Sequence, residues 1–187
     1  MRFSAHPFAA AGLFLLFFAS PSEYAFAVCS SVLLHELGHA AAALLFHGKI
    51  KSIRLMPTGI GITLSPAASY REEFLVAAAG PLMNLLYIVL SPLLPTAPCE
   101  TVRSISAILM SVNLLPITTL DGGRMLRALI SHTLGENAAE RTLSVTTVCA
   151  LSLLWILSLY IFFYSSANFA LLLFCAYLFS YLFIKKL

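Results

Sequence analysis

The sequence predicts an all-α polytopic membrane protein with about six transmembrane helices and a short membrane-associated β-hairpin between the second and third helices. Hydrophobic residues make up 60% of the 187 residues and charged residues only 10%, whereas soluble domains average about 45–50% and about 25%. With a mean hydropathy of +0.92, little of the chain is left for a soluble domain. We therefore predict a single integral membrane domain over residues 1–187.

Six apolar segments approach the length of about 20 residues that a helix needs to cross the hydrocarbon core of a bilayer. The first segment is short, and Asn113 and Pro116 interrupt the fourth. The predicted spans are His6–Ser20, Tyr24–Phe46, Phe74–Leu94, Val102–Thr119, Leu143–Tyr164 and Asn168–Ile184.

The distribution of basic residues predicts the orientation of these spans. Six spans place both termini on one side of the membrane, and with the N-terminus inside only Arg103 of the eleven Lys and Arg residues lies outside. Because cytoplasmic loops carry an excess of Lys and Arg, both termini are predicted to be cytoplasmic, in a multi-pass protein of the cell membrane. The formal net charge of +3 therefore reflects the excess of basic residues on the predicted cytoplasmic side. The sequence contains no basic patch that would indicate a nucleic-acid partner. The ten inside residues are Arg2, Lys49, Lys51, Arg54, Arg71, Arg124, Arg127, Arg141, Lys185 and Lys186.

A cleaved signal peptide is the alternative for the first span. Arg2, the apolar run and Ala25-Phe26-Ala27 imitate the three regions of such a peptide. Cleavage there would remove the first span, cut into the second and spoil the charge asymmetry. We therefore favour an uncleaved span.

The second span carries the motif His35-Glu36-Leu37-Gly38-His39. Two histidines four residues apart lie on one helix face, where both imidazoles can bind one metal ion. The glutamate between them is suited to be a general base toward water at that ion. Ionisable residues at this depth in a membrane are costly and usually functional. The alternative is a chance match in a buried helix.

The segment Lys49–Pro66 alternates apolar and polar residues on both sides of the turn signal Pro57-Thr58-Gly59. This pattern predicts a short β-hairpin at the cytoplasmic face of the membrane. An exposed edge strand there could capture an extended peptide by strand addition. The alternative is an interfacial loop with no binding role. The candidate substrate-binding residues are Gly59, Ile60, Gly61 and Ile62.

The third span contains Gly80-Pro81 and, within the same apolar run, Asn84. Small residues allow helices to approach closely in membranes. The amide of Asn84 needs a hydrogen-bond partner, which either another helix or an active site would provide.

A two-histidine site needs a third protein ligand if one position is to remain open for water. No cysteine is suitably placed, and Asp121 is the acidic residue that ends an apolar segment. Pro116 breaks the preceding helix, and Gly122-Gly123 permit a tight turn. The alternative is that Asp121 only caps a helix over Arg124–Leu134.

Asn113 lies on the same segment, eight residues before Asp121. Its amide could bind a substrate peptide or a developing oxyanion. Equally, it could satisfy the carbonyl groups that Pro116 leaves without a donor.

Three motifs together resemble the site-2 protease family of intramembrane zinc metalloproteases. They are HELGH in the second span, Gly80-Pro81-x-x-Asn84 in the third, and NLLPxxxLDGG over Asn113–Gly123. Within that family the chain is similar to the stage IV sporulation protein FB type, which processes a sigma-factor precursor, and His6-Pro7-Phe8 also matches that type. The resemblance covers nearly the whole chain.

The resemblance implies that His35, His39 and Asp121 hold one Zn²⁺ per chain and that Glu36 is the general base. It also implies that Asn113 positions the substrate or stabilises the oxyanion, and that the hairpin is a membrane-reentrant loop beside the substrate. The implied activity is metalloendopeptidase cleavage of a membrane-embedded or membrane-tethered protein, such as a sigma-factor precursor or regulator, near the cytoplasmic face. The expected partners are that substrate, the lipid bilayer and a membrane-bound inhibitory or regulatory protein, with no nucleic acid.

The chain departs from the family pattern at three points. Thr119 stands where sporulation-type members often have a proline, and the sequence contains neither their CBS domain nor the PDZ module of envelope-stress members. Nucleotide regulation and a role in sporulation are therefore not implied.

Two other functions compete with proteolysis. A proteolytically inactive scaffold of the same fold would bind substrate helices with a broken site, yet the histidines, the glutamate and the aspartate are intact. A zinc transporter would need polar ligands in several spans, and the predicted fifth and sixth spans contain no acidic residue and no histidine.

Overall fold

The computed structural model describes residues 2–5, 22–46, 50–56, 59–64, 69–94, 96–165, 172–173, 175–176 and 178–180. The chain divides into two compact units, Met1–Leu114 and Leu115–Leu187, and each is described by itself. The prediction of a single integral domain is not tested by this division.

The first unit contains three helices that pack against one another: α1 (Ser22–Leu45), α2 (Tyr70–Leu90) and α3 (Thr96–Asn113). A short 3₁₀ turn over Ser91–Leu93 follows α2. The sequence favours the start of α2 at Tyr70, because the side chain of Ser69 caps this helix by accepting a hydrogen bond from the Glu72 backbone N–H at 3.2 Å. The helices of the first unit thus form a bundle, in which α1 and α2 are the longest and most apolar.

Buried positions on α1 recur every three or four residues at Ser31, His35, Gly38 and His39, whereas Leu37 is exposed. This stripe faces the neighbouring helices. The buried residues of α1 are small or polar, and most of its exposed residues beyond the first turn are apolar, as expected when lipid is the solvent.

Two features bring α1 close to its neighbours. A Cβ added to Gly38 would lie 2.6 Å from the carbonyl oxygen of Ala79 on α2, so only glycine allows this approach. A hydroxyl–hydroxyl bond of 2.8 Å joins Ser31 to Ser106 of α3, and both side chains are fully buried. The buried face of α1 is therefore held at fixed distances from α2 and α3.

A three-stranded sheet completes the first unit, formed by β1 (Arg2–Ala5), β2 (Ile50–Met56) and β3 (Gly59–Leu64) in the order β1-β2-β3. β1 pairs with β2 in parallel, and β2 pairs with β3 antiparallel from Met56↔Gly59 to Ile50↔Leu64. The antiparallel pair occupies the segment in which the sequence predicts a hairpin. The sheet departs from the predicted all-α fold with one hairpin only in β1, which joins through a non-local pairing that no local pattern reveals.

The second unit contains α4 (Asp121–Leu134) and α5 (Glu136–Ser165), which pack together and follow the irregular segment Leu115–Leu120. Its core includes Ile117, Ala150 and Leu151. The hydroxyl of Thr147 on α5 accepts a hydrogen bond from the Thr118 backbone N–H at 3.1 Å. This contact fixes the irregular segment against α5 just before α4 begins.

Among the described residues, three helices are long and apolar enough to cross a membrane: Ser22–Leu45, Tyr70–Leu93 and Glu136–Tyr164. They correspond to the second, third and fifth predicted spans. The count of six is not supported. The predicted first span lies outside the described residues, and so does most of the predicted sixth.

The predicted fourth span, Val102–Thr119, is wrong in its bounds. The helix there is α3, which begins at Thr96 and ends at Asn113. Pro116 has no backbone N–H to continue it, and the chain turns instead through bonds such as Ile117 N–H to the Leu115 carbonyl at 2.8 Å. Polar residues such as Arg103, Ser104 and Ser106 also make α3 less apolar than the three candidate spans.

Candidate metal centre

The two histidines of HELGH lie side by side on the buried stripe of α1. Their side chains are 4% and 6% exposed for His35 and His39. The two Nε2 atoms are 3.2 Å apart, and the rings meet edge to face with an interplanar angle of 88°. This arrangement follows from the helix repeat, which places residues four apart above one another.

The distance between the Nε2 atoms fits a shared zinc ion. Zn–N bonds of about 2.0–2.1 Å at a tetrahedral angle place two ligating nitrogens about 3.3 Å apart. Such a distance requires at least one of the two facing nitrogens to be unprotonated, as a ligand must be.

Each ring also contacts α2 through its other nitrogen. The Nδ1–H of His39 donates to the backbone carbonyl of Val76 at 2.8 Å, which leaves Nε2 of His39 as the unprotonated nitrogen. The Nδ1 atom of His35 lies 3.1 Å from Nδ2 of Asn84, and both side chains are buried. Outer contacts of this kind orient histidine ligands in metal sites.

Gly80 of α2 provides the space that the two rings occupy. A Cβ at this position would collide with Nε2 of His39 and would lie 2.9 Å from Cε1 of His35. Any larger residue would therefore push the imidazoles out of their present positions. The glycine of the Gly80-Pro81 motif is thus explained by the space that the histidine pair needs.

Glu36 is half-buried on α1 between the two histidines. A carboxylate next to a buried imidazole pair can accept a proton from a water molecule held there.

Asp121 in the second unit is the first residue of α4, and it is 6% exposed. The N-cap residue of α4 is Leu120, which makes no side-chain capping bond. Asp121 therefore does not occupy the N-cap position that the alternative role would require. Its Oδ1 lies 3.4 Å from the Arg124 guanidinium in an ion pair.

Gly123 determines how the chain enters α4. A Cβ on this residue would collide with the carbonyl oxygen of Ile117, which also accepts a bond from the Leu120 backbone N–H at 2.9 Å. The close return of α4 toward Ile117 therefore requires glycine, and it fixes where Asp121 begins the helix. Thr119, in the same turn, has a buried hydroxyl with no hydrogen-bond partner among the described residues.

Asn113 is the last residue of α3, and its side-chain NH₂ donates to the Leu109 carbonyl at 3.0 Å. This carbonyl lies one turn earlier in α3. It is not that of Val112, four residues before Pro116, which the proline would leave without a donor. The described contacts give Asn113 a role at the end of the helix, and its catalytic role stays a prediction.

Gly59, Ile60, Gly61 and Ile62 all lie on β3, which forms one edge of the described sheet. β3 also contacts α1, the helix that carries the histidines. The backbone of the predicted substrate-binding segment therefore adjoins the helix of the histidine pair.

The model of the Peptidase M50B-like family matches residues 8–160, which is most of the chain. The chain belongs to the site-2 protease family of M50B-like peptidases. It is 35% identical over 136 residues to stage IV sporulation protein FB of Bacillus subtilis, which covers 67% of this chain and 47% of that protein. It is 33% identical over 119 residues to a zinc metalloprotease of Methanocaldococcus jannaschii, which covers 56% of this chain and 33% of that protein.

This family member also has the fold of a solved structure, the site-2 protease from Methanocaldococcus jannaschii. The TM-score is 0.65 at 24% identity, with 93% of this chain and 85% of that chain covered. The chain spans less than half the length of the curated relatives that it matches. Family membership and the three apolar helices make it a membrane protein, and the resemblance stated from the motifs is confirmed.

Of the residues that contact the rings from α2, sequence reasoning missed Val76, whereas it singled out Gly80 and Asn84 without assigning either to the histidines. Val76 contributes only its carbonyl group, which every residue type has, so no residue pattern indicates it. Gly80 and Asn84 could be recognised by their spacing, since both lie a multiple of four residues from Val76 on one helix face.

Proposed function

We propose that this chain is an intramembrane zinc metalloprotease that hydrolyses a peptide bond of a membrane-embedded or membrane-tethered protein. The observation that carries the proposal is the buried histidine pair with its Nε2 atoms 3.2 Å apart, in a chain that belongs to a peptidase family. A buried pair of imidazoles with this separation has little use in a lipid-facing helix other than to bind a metal.

His35, His39 and Asp121 would hold one zinc ion per chain. All three side chains are buried, and each offers one ligand atom. Two histidines and a carboxylate are a ligand set of catalytic zinc sites, which leave a further position for water or substrate. When bound, zinc would lower the pKa of water to about 7 and polarise the scissile carbonyl.

Glu36 would act as the general base and then as the general acid. Its carboxylate takes a proton from the attacking water while the oxygen forms a bond to the carbonyl carbon. It then gives this proton to the amine nitrogen as the C–N bond breaks, so the net reaction consumes one water per peptide bond. Asn113 would hydrogen-bond the substrate or the developing oxyanion.

The substrate would bind in an extended form, because a helix hides its peptide bonds in intrahelical hydrogen bonds. β3 is an edge strand next to α1, and the segment Gly59–Ile62 would pair with the substrate backbone by strand addition. The distribution of basic residues supports a multi-pass protein in which both termini and this sheet would lie on the cytoplasmic side. A sigma-factor precursor or regulator would be the substrate class, as the family resemblance of the sequence motifs implies.

The test compares membrane proteomes of cells that express the wild type and the Glu36→Gln variant. Loss of a general base reduces the rate by about 100–10,000-fold, so precursors of substrates accumulate only with the variant, while its zinc content stays at the wild-type level. Glu23→Gln is the matched control, since Glu23 is exposed in the first turn of the same helix. Wild-type cleavage by the Glu36→Gln variant would refute proteolysis by this site.

The same comparison separates the competing functions. An inactive scaffold yields the same precursor levels with the wild type and with the Glu36→Gln variant. A zinc transporter produces metal flux in proteoliposomes, which a protease does not.

A further inference from the structure

The face of α2 against the histidine pair presents three residues spaced four apart: Val76, Gly80 and Asn84. Residues with this spacing form one row along a helix. All three are buried. The first offers a carbonyl to His39, the second leaves space for both rings, and the third places its amide at His35.

Asn84 is fully buried, with no exposed surface. Its Nδ2 atom lies 3.1 Å from Nδ1 of His35, but its Oδ1 atom has no hydrogen-bond partner among the described residues. Buried amide oxygens are nearly always hydrogen-bonded, and exceptions call for a specific explanation. Oδ1 of Asn84 would gain a partner if the neighbouring His35 ring presented a proton to it.

The state of His35 when it binds zinc supplies that explanation. A histidine that binds a metal through Nε2 carries its proton on Nδ1 and donates it to an acceptor. The NH₂ group of Asn84 cannot accept this proton, whereas the amide oxygen can. Rotation of the amide by half a turn exchanges the two ends, which are similar in size, and places Oδ1 against Nδ1 of His35 without moving either helix.

We propose that Asn84 is a positioning residue of the metal centre. Its side-chain oxygen accepts the Nδ1–H of His35 when Nε2 of His35 binds zinc, and so sets the tautomer and the ring orientation of this ligand. α2 then orients both histidines, His39 through the Val76 carbonyl and His35 through Asn84. This inference rests on the zinc site of the proposed function.

The variants at Asn84 separate hydrogen bonding from packing. Asn84→Leu keeps a similar volume but removes the acceptor, and loss of such an outer partner weakens metal binding by about 10–100-fold. Asn84→Asp keeps an oxygen in the same place, so its zinc affinity stays within about threefold of the wild type or rises, as carboxylates are common partners of histidine ligands. Ser31→Ala is the matched control, because Ser31 is equally buried on α1 and loses its 2.8 Å bond to Ser106.

The experiment measures the zinc dissociation constant of the full chain in detergent micelles by competition with a chromophoric chelator. The absorption spectrum of the cobalt-substituted protein reports ligand geometry, and thermal unfolding of the metal-free protein reports folding. We expect weakened zinc binding and an altered cobalt spectrum for Asn84→Leu only, with Asn84→Asp and Ser31→Ala close to the wild type.

Wild-type zinc affinity in Asn84→Leu, or equal weakening in Asn84→Asp and Asn84→Leu, would overturn the role of Asn84. If Asn84→Leu does not fold, Asn84→Ala takes its place with the same expected loss and the same contradicting result. Failure of the wild type itself to bind zinc would instead refute the metal site of the proposed function.

Discussion

The Nδ1–H group of His39 donates a hydrogen bond of 2.8 Å to the backbone carbonyl of Val76. This bond crosses from α1 to α2 and leaves Nε2 of His39 facing Nε2 of His35. The tautomer needed for a metal ligand is therefore determined by the neighbouring helix, before any metal binds. The chemistry of the candidate site consequently depends on how α1 packs against α2.

Replacement of Gly80 by alanine tests this dependence. The added Cβ would collide with the His39 ring, so we expect zinc affinity to fall by about 10-fold or more, as when ligand orientation is lost. The free energy of unfolding should change little, because the gain of about 1 kcal/mol from the higher helix propensity of alanine offsets part of the loss of about 1–3 kcal/mol from overpacking. Zinc content by mass spectrometry and thermal unfolding measure the two effects.

The control for Gly80→Ala is Leu82→Ala, because Leu82 is 59% exposed on the same helix. We expect wild-type zinc content in this variant. Equal zinc affinity in Gly80→Ala and the wild type would show that the rings have room to move and that the glycine serves helix packing alone.

Asp121→Asn tests the third ligand. The amide is nearly isosteric with the carboxylate but is a poor zinc ligand, so we expect zinc affinity to fall by about 100-fold or more. Zinc competition with a chelator and the cobalt spectrum, which changes when an oxygen ligand is lost, provide the measurement. Glu136→Gln is the control, since it removes an exposed carboxylate that pairs with Arg127 at 3.2 Å. An unchanged cobalt spectrum in Asp121→Asn would contradict ligation by this residue.

The parts of the site that the sequence predicts are those that depend on local geometry. His35 and His39 share a face because the helix repeat puts residues four apart together, and this holds in any packing. The hairpin follows from alternation and a turn signal within one short segment. Pro116 likewise predicts a break in the chain before Asp121, whereas Gly122 and Gly123, which the sequence predicts to form a tight turn, lie in the first turn of α4.

The parts that the sequence does not predict depend on contacts between distant segments. The carbonyl of Val76 accepts from His39 because of where α2 packs, and its residue type carries no sign of this. β1 pairs with β2 across about 50 residues of chain, which adds a strand where hydropathy alone suggests only helices. The end of α3 at Asn113 is determined by Pro116, whereas its start at Thr96 precedes the apolar run.

Gly135 joins α4 to α5 with φ of 86° and ψ of 166°. This region of backbone conformation is essentially restricted to glycine, and other residues there cost about 1–3 kcal/mol. No atom lies within 4 Å of an added Cβ, so the cost in Gly135→Ala comes from the backbone alone. We expect Gly135→Asn to be destabilised to the same extent, because asparagine tolerates the left-handed helical region but not this one.

Denaturant unfolding in micelles measures this effect, with Asn137→Ala in the exposed first turn of α5 as the control. Unchanged stability in Gly135→Ala would mean that the junction relaxes into an ordinary conformation.

Proline substitutions in β3 test whether its open edge binds substrate. Successive backbone N–H groups of a strand point to opposite edges, so of Ile60→Pro and Gly61→Pro one removes a donor toward β2 and the other a donor at the edge that has no strand partner in the described sheet. We expect the variant that removes the donor at the open edge to keep its zinc content and to lose cleavage through a raised KM, because substrate pairing uses that edge. Ile60→Val and Gly61→Ala retain both donors and serve as matched controls in the cleavage assay. If both proline variants cleave with the wild-type KM, the substrate does not bind by strand addition to β3.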